Sequence, residues 1–417
     1  MTLSHQPSTS PPARLDLTPA ATAQNRFAVD ERLLERARAL EPIIREHAGA
    51  TERERRLARP VFEAMREAGM FRMFTPGALG GFEADPVTVA RVAEELAKFD
   101  SAAGWALQAG NTGAWWASML PEAGVDELFA DGPDLVMSAS FAPPHRVEEV
   151  PGGYRFTGRG PLASTIHDSP WVTMTGMVFD GDQPRMTQFG PEIVAVAMRT
   201  SDVEIVDTWH SLGMRGTDSN DVAANGVFVP ASREFHVVPE HERGGRFQGP
   251  LYRLSALVST YVVVTPVALA IARGALTELR ELAGRKTPVG SRTTLKDRAA
   301  VQAALAEGEG LLRSARLFFY DTLVDAWRRA LDGEPASLEQ RADMMLANAH
   351  AVQCVAKVAD LMHRAAGTSG IYARSRLERH FRDAQTVRQH GFVNQSRLET
   401  VGQVYLGVEP EFAFVAF

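Results

Sequence analysis

The stretch VDTWHSLGMRGTDSNDVAANGVFVP, residues 206–230, joins a polar loop to a strand pattern. Gly216, Thr217, Ser219 and Asn220 form a small polar cluster, and the run VAANGVFV that follows predicts a strand. Glycine permits close backbone approach to a flat ligand, and backbone N–H and hydroxyl groups supply donors. The loop is therefore a candidate binding segment, and a plain polar turn is the alternative.

The same β texture extends over residues 131–238. Short runs such as LVMSAS, WVTMTGMVF and EIVAVAM are separated by the turn dipeptides Gly152-Gly153, Asp180-Gly181 and Asn225-Gly226. Short strands and such turns at regular spacing are typical of an antiparallel barrel or sandwich. We therefore predict a central antiparallel β domain.

Helical patterns lie on both sides of this domain. Residues 27–130 carry apolar positions three and four apart, interrupted by the loop FTPGALGGFEADP. Residues 239–417 carry long helical patterns near 251–283, 294–332 and 337–366, and a last helix begins near Arg376. The fold class is therefore α+β, with an N-terminal helical domain, the β domain and a C-terminal four-helix bundle. Residues 1–26, rich in Ser, Thr, Pro and Ala, are expected to form a disordered tail.

The third long helical pattern has explicit ends. Ser337 with Gln340 forms a capping box, and Gly367 suits a left-handed stop. Between them, small and apolar residues alternate by three and four: Ala342, Met345, Ala349, Val352, Ala356, Ala359 and His363. This stripe predicts close helix packing in the bundle.

Composition restricts the possible partners. A net charge of -7 provides no basic field for nucleic acid. The single cysteine, Cys354, cannot form an internal disulfide or a cysteine-based zinc site, and we expect no metal and a cytoplasmic location. The 19 uncharged residues 254–272 are long enough to span a membrane. Their polar residues and arginine flanks instead favour a buried bundle helix, so we expect no membrane partner.

Three strings together resemble the acyl-CoA dehydrogenase superfamily over nearly the whole chain after residue 30. They are PGALGGFEADP, the stretch 206–230, and AGTSGIYARSRLERHFRDAQTVRQH, residues 366–390. The resemblance implies a flavin held between the β domain and the bundle, in a homotetramer. It also implies that the flavin is contacted by Gly216, Thr217, Ser219, Arg285, Gly367, Thr368 and Ser369. Arginine binds phosphate oxygens in pairs, although Arg285 could equally be a solvated cation at a helix end.

Two positions that usually supply the dehydrogenase's glutamate base lack a carboxylate. Arg382-Asp383 is followed by AQTVRQHGFV, and residues 251–271 contain neither Asp nor Glu. His390 appears instead, and it resembles a histidine of the flavin-dependent aromatic monooxygenase branch, the two-component group. A histidine with a pKa near 6.5 can accept a phenolic or N–H proton at neutral pH. A structural histidine near a helix is the alternative.

Ser164, in RGPLASTIHDSPW, resembles the serine that in this branch hydrogen-bonds the flavin near N5 and slows the loss of hydrogen peroxide. Glycine often follows that serine, whereas Thr165 stands here, so either hydroxyl is a candidate. Trp209 is expected to form a wall for flavin or substrate. Trp105, Asn111 and His390 are the candidate substrate contacts. For Trp105, Trp115 and Trp116 on the helical front, ordinary helix packing is the favoured alternative.

We therefore predict the oxygenase component of a two-component flavin-dependent monooxygenase. Reduced FMN or FAD would come from a separate NAD(P)H:flavin reductase, and O2 would oxygenate an aromatic or heteroatom-containing small molecule. No G-x-G-x-x-G nucleotide fingerprint is evident, which agrees with a partner reductase. One alternative is an acyl-CoA dehydrogenase or oxidase that uses Glu399 or Asp383 as its base. The other is a non-catalytic protein that keeps only the fold. The apolar end VEPEFAFVAF is expected at a subunit interface.

Overall fold

The computed structural model describes residues 29–187, 190–236 and 245–416, so the predicted tail at 1–26 lies outside the described residues. The helical front contains α1 (Glu31–Ala39), α2 (Glu41–Glu54), α3 (Arg59–Glu67), α4 (Pro86–Phe99), α5 (Ser101–Leu107), a π-helix (Gln108–Thr112), α6 (Gly113–Ala117) and α7 (Glu122–Leu128). The Asp85 and Asp100 side chains cap α4 and α5 by accepting backbone N–H groups, which starts both helices at fixed positions.

The central part is a mixed β-sheet. Its strands are β1 (Met137–Val150), β2 (Gly153–Ala163), β3 (Trp171–Asp180), β4 (Gln183–Pro184), β7 (Ile193–Arg199), β8 (Glu204–Val206), β9 (Asn220–Pro230) and β10 (Glu234–His236). The order is β10-β7-β3-β1-β2-β9-β8, with β4 beside β3; β5 (Met186–Thr187) and β6 (Gly190–Pro191) form a separate pair.

The prediction of a purely antiparallel domain is wrong in one place, because β1 and β3 run parallel. The hairpin at Gly152 folds β2 back along β1. The chain then crosses through a short helix, Ile166–Asp168, and β3 pairs with the free edge of β1 in the same direction as β1. Turn dipeptides mark hairpins, but they do not reveal such a crossover.

Asn225-Gly226 is also not a hairpin turn. Both residues lie inside β9, where the register against β2 shifts between the pairs Phe156↔Val227 and Gly158↔Ala224. Gly226 has a φ of 64°, so the two residues form a bulge opposite Thr157. The Thr157 hydroxyl accepts the Gly226 N–H at 3.0 Å.

The described C-terminal part, residues 245–416, packs three long α-helices and two shorter ones. These are α8 (Ala256–Arg285), α9 (Ala299–Asp332), α10 (Leu338–Ala366), α11 (Arg376–Val387) and α12 (Arg397–Tyr405). The capping box at Ser337 and Gln340 is present, and the stripe from Ala342 to Ala359 is buried. Gly367 ends α10 with φ 56° and ψ -141°. This conformation differs from the predicted left-handed helical one, but its positive φ also favours glycine.

Helix α8 connects the bundle to the helical front. It is long and apolar enough to cross a membrane, but 94% of its most apolar window is buried inside the protein, chiefly against α4, α10 and α11. The Arg316 guanidinium pairs with both oxygens of Glu94 at 2.8 and 2.9 Å, and this lowers the pKa of Glu94 to about 2 despite its burial. The front and the bundle therefore share one apolar core.

The predicted domain boundary at 130/131 falls between α7 and β1. The boundary at 238/239 lies outside the described residues. We keep this division of the chain as a proposal.

Candidate active site

A cavity of about 390 Å³ lies where the front, the sheet and the bundle meet. Its walls come from the helix that runs from α5 to α6, from β1 and the end of β2, from the loop before β9, and from the segment after α11. This volume suits a small-molecule site. The cavity therefore lies at the seam where the sequence predicts the flavin.

One face of the helix from α5 to α6 lines the cavity. Trp105, Gln108, Thr112 and Trp116 follow each other at helical spacing along this face. The π-helix lies in the middle of it, and π-turns are frequent at functional sites. Trp115 faces away and is fully buried. Packing therefore accounts for Trp115, while Trp105 and Trp116 border the cavity.

Asn111 does not line the cavity. Its Oδ1 accepts the N–H groups of Met73 and Phe74 at 3.0 and 3.2 Å, and its Nδ2 donates to the carbonyls of Met70 and Leu107 at 3.1 Å each. These bonds use the whole hydrogen-bonding capacity of the amide and brace the π-helix from behind. We therefore assign Asn111 a structural role and do not retain it as a substrate contact.

Ser164 stands at the centre of a chain of polar groups on the cavity wall. Trp105 Nε1 donates to Ser164 Oγ at 3.1 Å, and Ser164 Oγ lies 2.8 Å from Ser219 Oγ. Ser219 Oγ lies 2.7 Å from Thr217 Oγ1, and Ser138 donates to the Ser164 carbonyl. The predicted Ser164, Thr217 and Ser219 thus come together with Trp105 around one wall.

The backbone at the end of β2 determines which hydroxyl reaches this wall. Leu162 and Thr165, on either side of Ser164, have φ values of 64° and 61°, and the register against β9 shifts between Gly160 and Ala163. Non-glycine residues rarely adopt such φ values, and they concentrate where a side chain is re-aimed. Ser164 lines the cavity, whereas Thr165 is buried beside it and donates its N–H to the Thr217 carbonyl.

His390 lies on the turn after α11. Its ring meets Trp105 edge-on with 5.5 Å between the ring centres. The Phe392 N–H donates to Nδ1 at 3.4 Å, and the Tyr261 hydroxyl anchors the turn through the Phe392 carbonyl. Burial lowers the pKa of His390 to about 4, so the imidazole is neutral at pH 7. Its Nε2 has no hydrogen-bond partner among the described residues.

The C-terminal end of the chain covers the cavity. Phe392, Phe412 and Phe414 form a cluster with ring centres 5.5 to 5.8 Å apart, and all three line the cavity. Val415 is fully buried beside them. The apolar end that we expected at a subunit interface therefore packs on its own chain.

Carboxylates are absent from the cavity wall within the described ranges 29–187, 190–236 and 245–416. Asp383 is buried elsewhere, where it accepts the Ser101 hydroxyl at 2.7 Å and the Met214 N–H at 2.6 Å. It also lies 3.8 Å from Arg379. Glu399 is exposed on α12. Neither acid is placed to remove a proton from a molecule in this cavity.

Only some residues of the polar loop before β9 line the cavity. Trp209 lines the cavity, and its Nε1 donates to the carbonyls of Met214 and Arg215. Gly216 does not line it: an added Cβ would lie 2.3 Å from Thr51 Cγ2 and 2.9 Å from Ala102 Cβ. Glycine is required there because α2 and α5 press against the loop. Any contact between Gly216 and flavin stays a prediction.

Gly216→Ala is accordingly expected to destabilise the protein by about 1–3 kcal/mol through overpacking. Gly310→Ala is the matched control. Gly310 lies in helix α9, has a negative φ like Gly216, and would place an added Cβ more than 4 Å from any atom outside its own stretch of helix backbone. That control is expected to be neutral or stabilising by up to about 1 kcal/mol. Urea unfolding followed by circular dichroism measures both, and equal midpoints would contradict this account of Gly216.

Arg285 and the Gly367–Gly370 turn adjoin each other at one end of the bundle. Lys286 donates to the Ala366 carbonyl at 2.7 Å, which joins the end of α8 to the end of α10. Arg285, Gly367 and Thr368 are exposed, Ser369 is partly buried, and none of the four lines the cavity. Their predicted contact with the phosphate or nucleotide end of a flavin stays a prediction.

A helical front, a central sheet and a helical bundle meet at this cavity, which is the architecture of the acyl-CoA dehydrogenase fold, and no described residue of the cavity wall could serve as a carboxylate base. Residues 31–128 match the family model "Acyl-CoA dehydrogenase, N-terminal domain", and residues 262–395 match "Acyl-CoA dehydrogenase, C-terminal domain". The chain is 31% identical over 368 residues to the indole-3-acetate monooxygenase of Pseudomonas putida, covering 88% of this chain and 91% of the relative. The chain belongs to the flavin-dependent monooxygenases of the acyl-CoA dehydrogenase superfamily.

Two further relatives agree. The oxygenase component of the FADH(2)-dependent resorcinol hydroxylase from Rhizobium sp. is 25% identical over 398 residues, which are 91% of this chain and 95% of the relative. The structure of XiaF from Streptomyces sp. in complex with FADH2 and glycerol superposes with a TM-score of 0.84 at 25% identity. That match covers 91% of this chain and 96% of XiaF.

The sequence does not single out Gln108 and favours packing for Trp116, yet both residues line the cavity. The 3- and 4-residue spacing of Trp105, Gln108, Thr112 and Trp116 was the available signal. It was ambiguous because the surrounding residues are also apolar and a π-turn changes the helical phase. The sequence predicts Phe412 and Phe414 at an interface because nothing in it links them to Phe392, whose ring they contact in the structure.

Proposed function

We propose that this protein is the oxygenase component of a two-component system that oxygenates an aromatic or heteroatom-containing small molecule. A separate NAD(P)H:flavin reductase supplies reduced FMN or FAD. One atom of O2 enters the substrate and the other leaves as water, with the two further electrons coming from the reduced flavin. The observation that carries the proposal is the pairing of Ser164 and His390 across Trp105, in a cavity whose described wall has no carboxylate.

The cavity residues fit a flavin ring. A flat, partly polar ring needs apolar walls and a few donors at its edge. Trp209 and Met214 supply apolar wall beside the linked hydroxyls of Ser164, Ser219 and Thr217. We propose that these hydroxyls hold the ring edge, while Arg285 and the turn at 367–370 hold a phosphate end, in part across subunits of a homotetramer.

His390 has the properties of a group that handles a substrate proton. Its imidazole is neutral at pH 7, lines the cavity and keeps Nε2 free of described partners. Nδ1 accepts only a long bond from the Phe392 N–H, so exchange between the two neutral tautomers costs little. We propose that His390 accepts a proton from a substrate O–H or N–H group and that Trp105 holds the ring in place.

The burial of α8 supports a protein that works in aqueous solution, and the single cysteine supports a reducing compartment. We propose the cytoplasm as its location.

The test uses chemically reduced FMN or FAD, 18O2 and a panel of indoles and phenols, with no nicotinamide present. We expect one 18O atom in the product, and no consumption of NADH or NADPH when either is added to the protein with oxidised flavin. Direct oxidation of NAD(P)H by this chain alone would contradict the two-component assignment.

The dehydrogenase alternative has its own test. Because Asp383 and Glu399 do not reach the cavity, anaerobic addition of acyl-CoA thioesters of several chain lengths is expected to leave bound oxidised flavin unreduced. Bleaching by any of them would restore that alternative. Failure to bind either oxidised or reduced flavin would favour a non-catalytic protein.

A further inference from the structure

Two residues of the cavity wall carry polar atoms that no described residue satisfies. Gln108 Oε1 and Trp116 Nε1 are both buried, and neither has a hydrogen-bond partner in the part of the chain that the structure describes. A buried polar atom without a partner costs about 1–3 kcal/mol. Both residues line the same cavity, and the atom without a described partner is an acceptor on Gln108 and a donor on Trp116. Such a pair is complementary to a ligand that carries one donor and one acceptor.

The Trp116 indole is held rigidly. It stacks on Phe235 with 5.1 Å between ring centres and 22° between planes, and Trp115 meets it edge-on at 5.1 Å. Trp115 is fixed in turn by its own bond to the Leu251 carbonyl at 2.9 Å. The direction of the Trp116 N–H is therefore set before a ligand arrives, and pre-organised donors lose little entropy on binding.

The part of the wall that the structure describes also carries no charge. Its described residues include no Lys, Arg, Asp or Glu, and the low pKa of His390 keeps that ring neutral at pH 7. Burying an anion without a cation or a dense set of donors costs several kcal/mol. A carboxylate placed inside this cavity would find only neutral donors, namely the Trp116 N–H, the hydroxyl groups and the Gln108 and Gln389 amides, and no described cation. The wall therefore favours uncharged molecules.

We propose that Gln108 and Trp116 recognise the substrate, and that this substrate is an uncharged aromatic molecule with a donor for Gln108 Oε1 and an acceptor for Trp116 Nε1–H. The proposal rests on the proposed function, because it assigns the substrate of that same cavity. The proposed substrate differs in charge from the one in the name of the Pseudomonas relative, because indole-3-acetate carries a carboxylate.

Calorimetric titration of the full chain tests the proposal with two probes of nearly equal shape. Indole-3-acetamide is neutral and has an N–H donor and a carbonyl acceptor, whereas indole-3-acetate is an anion at pH 7. Titrations with and without bound flavin, under anaerobic conditions, are expected to show the amide binding at least about 10-fold more tightly. Equal or tighter binding of the acetate would overturn the preference for neutral molecules.

Two variants test the residues. Trp116→Phe keeps the ring stack but removes the N–H, and Gln108→Leu removes the acceptor at similar size. Each is expected to weaken amide binding about 5- to 30-fold. Trp327→Phe, a tryptophan change on α9 outside this cavity, is expected to leave binding unchanged. Unchanged amide affinity in both Gln108→Leu and Trp116→Phe proteins of normal circular dichroism would overturn the assignment.

These outcomes remain separate from those that test the proposed function. Binding needs no turnover, and the reaction of reduced flavin with oxygen needs no substrate. A protein that oxygenates but prefers indole-3-acetate would refute only the substrate class. A protein that binds the amide tightly yet transfers no oxygen would refute only the oxygenase assignment.

Discussion

His390→Ala is expected to lower kcat for product formation about 10²- to 10⁴-fold, the usual contribution of a positioned acid or base. The imidazole lines the cavity beside Trp105, and no described carboxylate can take over its proton. Oxidation of reduced flavin by O2 is expected to continue in this variant, so most of the oxygen should appear as hydrogen peroxide. Product analysis together with peroxide measurement would check this. A variant that retains more than half of the normal product yield would exclude His390 from proton handling.

The pH dependence of kcat/KM gives a second test of the role of His390. Because its folded pKa is lowered to about 4, the neutral ring predominates at every pH above that value and protonates only as the pH falls toward 4. We expect kcat/KM to stay level from pH 8 down to about pH 5 and to fall below it. His380→Gln is a useful control, because His380 is also a buried histidine but does not line the cavity. An acidic limb near pH 6.5 that disappears in His390→Ala would contradict the burial argument.

Ser164→Ala is expected to increase the rate of hydrogen peroxide release about 10- to 100-fold, at the expense of product. The Ser164 hydroxyl is held by Trp105 Nε1 and Ser219 Oγ, so its direction is fixed toward the cavity wall. Its loss leaves the Trp105 N–H without that acceptor and removes one donor from the proposed ring edge. The ratio of peroxide to product at saturating substrate is the measurement.

Ser219→Ala is the matched control for that experiment. It removes the second hydroxyl of the chain but keeps the bond between Trp105 and Ser164. We expect a smaller change in the peroxide ratio than in Ser164→Ala. Equal ratios in the two variants, or an unchanged ratio in Ser164→Ala, would show that Ser164 has no special position.

The sequence predicted the fold class because helical and strand periodicities change clearly near residue 131. It could not predict the parallel pairing of β1 and β3, which depends on a crossover that leaves no local signal. The prediction of a hairpin turn at Asn225-Gly226 is also wrong, because a bulge and a hairpin turn can both require a glycine with positive φ. In both cases the long-range pairing of strands decided between structures that local residues permit equally.

The sequence predicts several residues that border the cavity, while their roles toward flavin and substrate stay predictions. Ser164, His390, Trp105 and Trp209 all line the cavity. Asn111 was misassigned because a buried amide that braces a π-helix looks the same in sequence as one that binds a ligand. The sequence explains Gly216 by close approach of a flavin, but it does not show that Thr51 and Ala102, which lie far away in sequence, leave no space for a side chain there. Distant contacts of this kind cannot be read from spacing.

The most direct test of the central claim mixes the anaerobic complex of protein and reduced flavin with O2 in a rapid-mixing spectrophotometer, without substrate. We predict a transient spectral species that precedes oxidised flavin and decays with the release of hydrogen peroxide, faster in Ser164→Ala. Direct formation of oxidised flavin in the unmodified protein, with the same kinetics in the His390→Ala and Ser164→Ala variants, would contradict the assignment of this cavity as an oxygenase site.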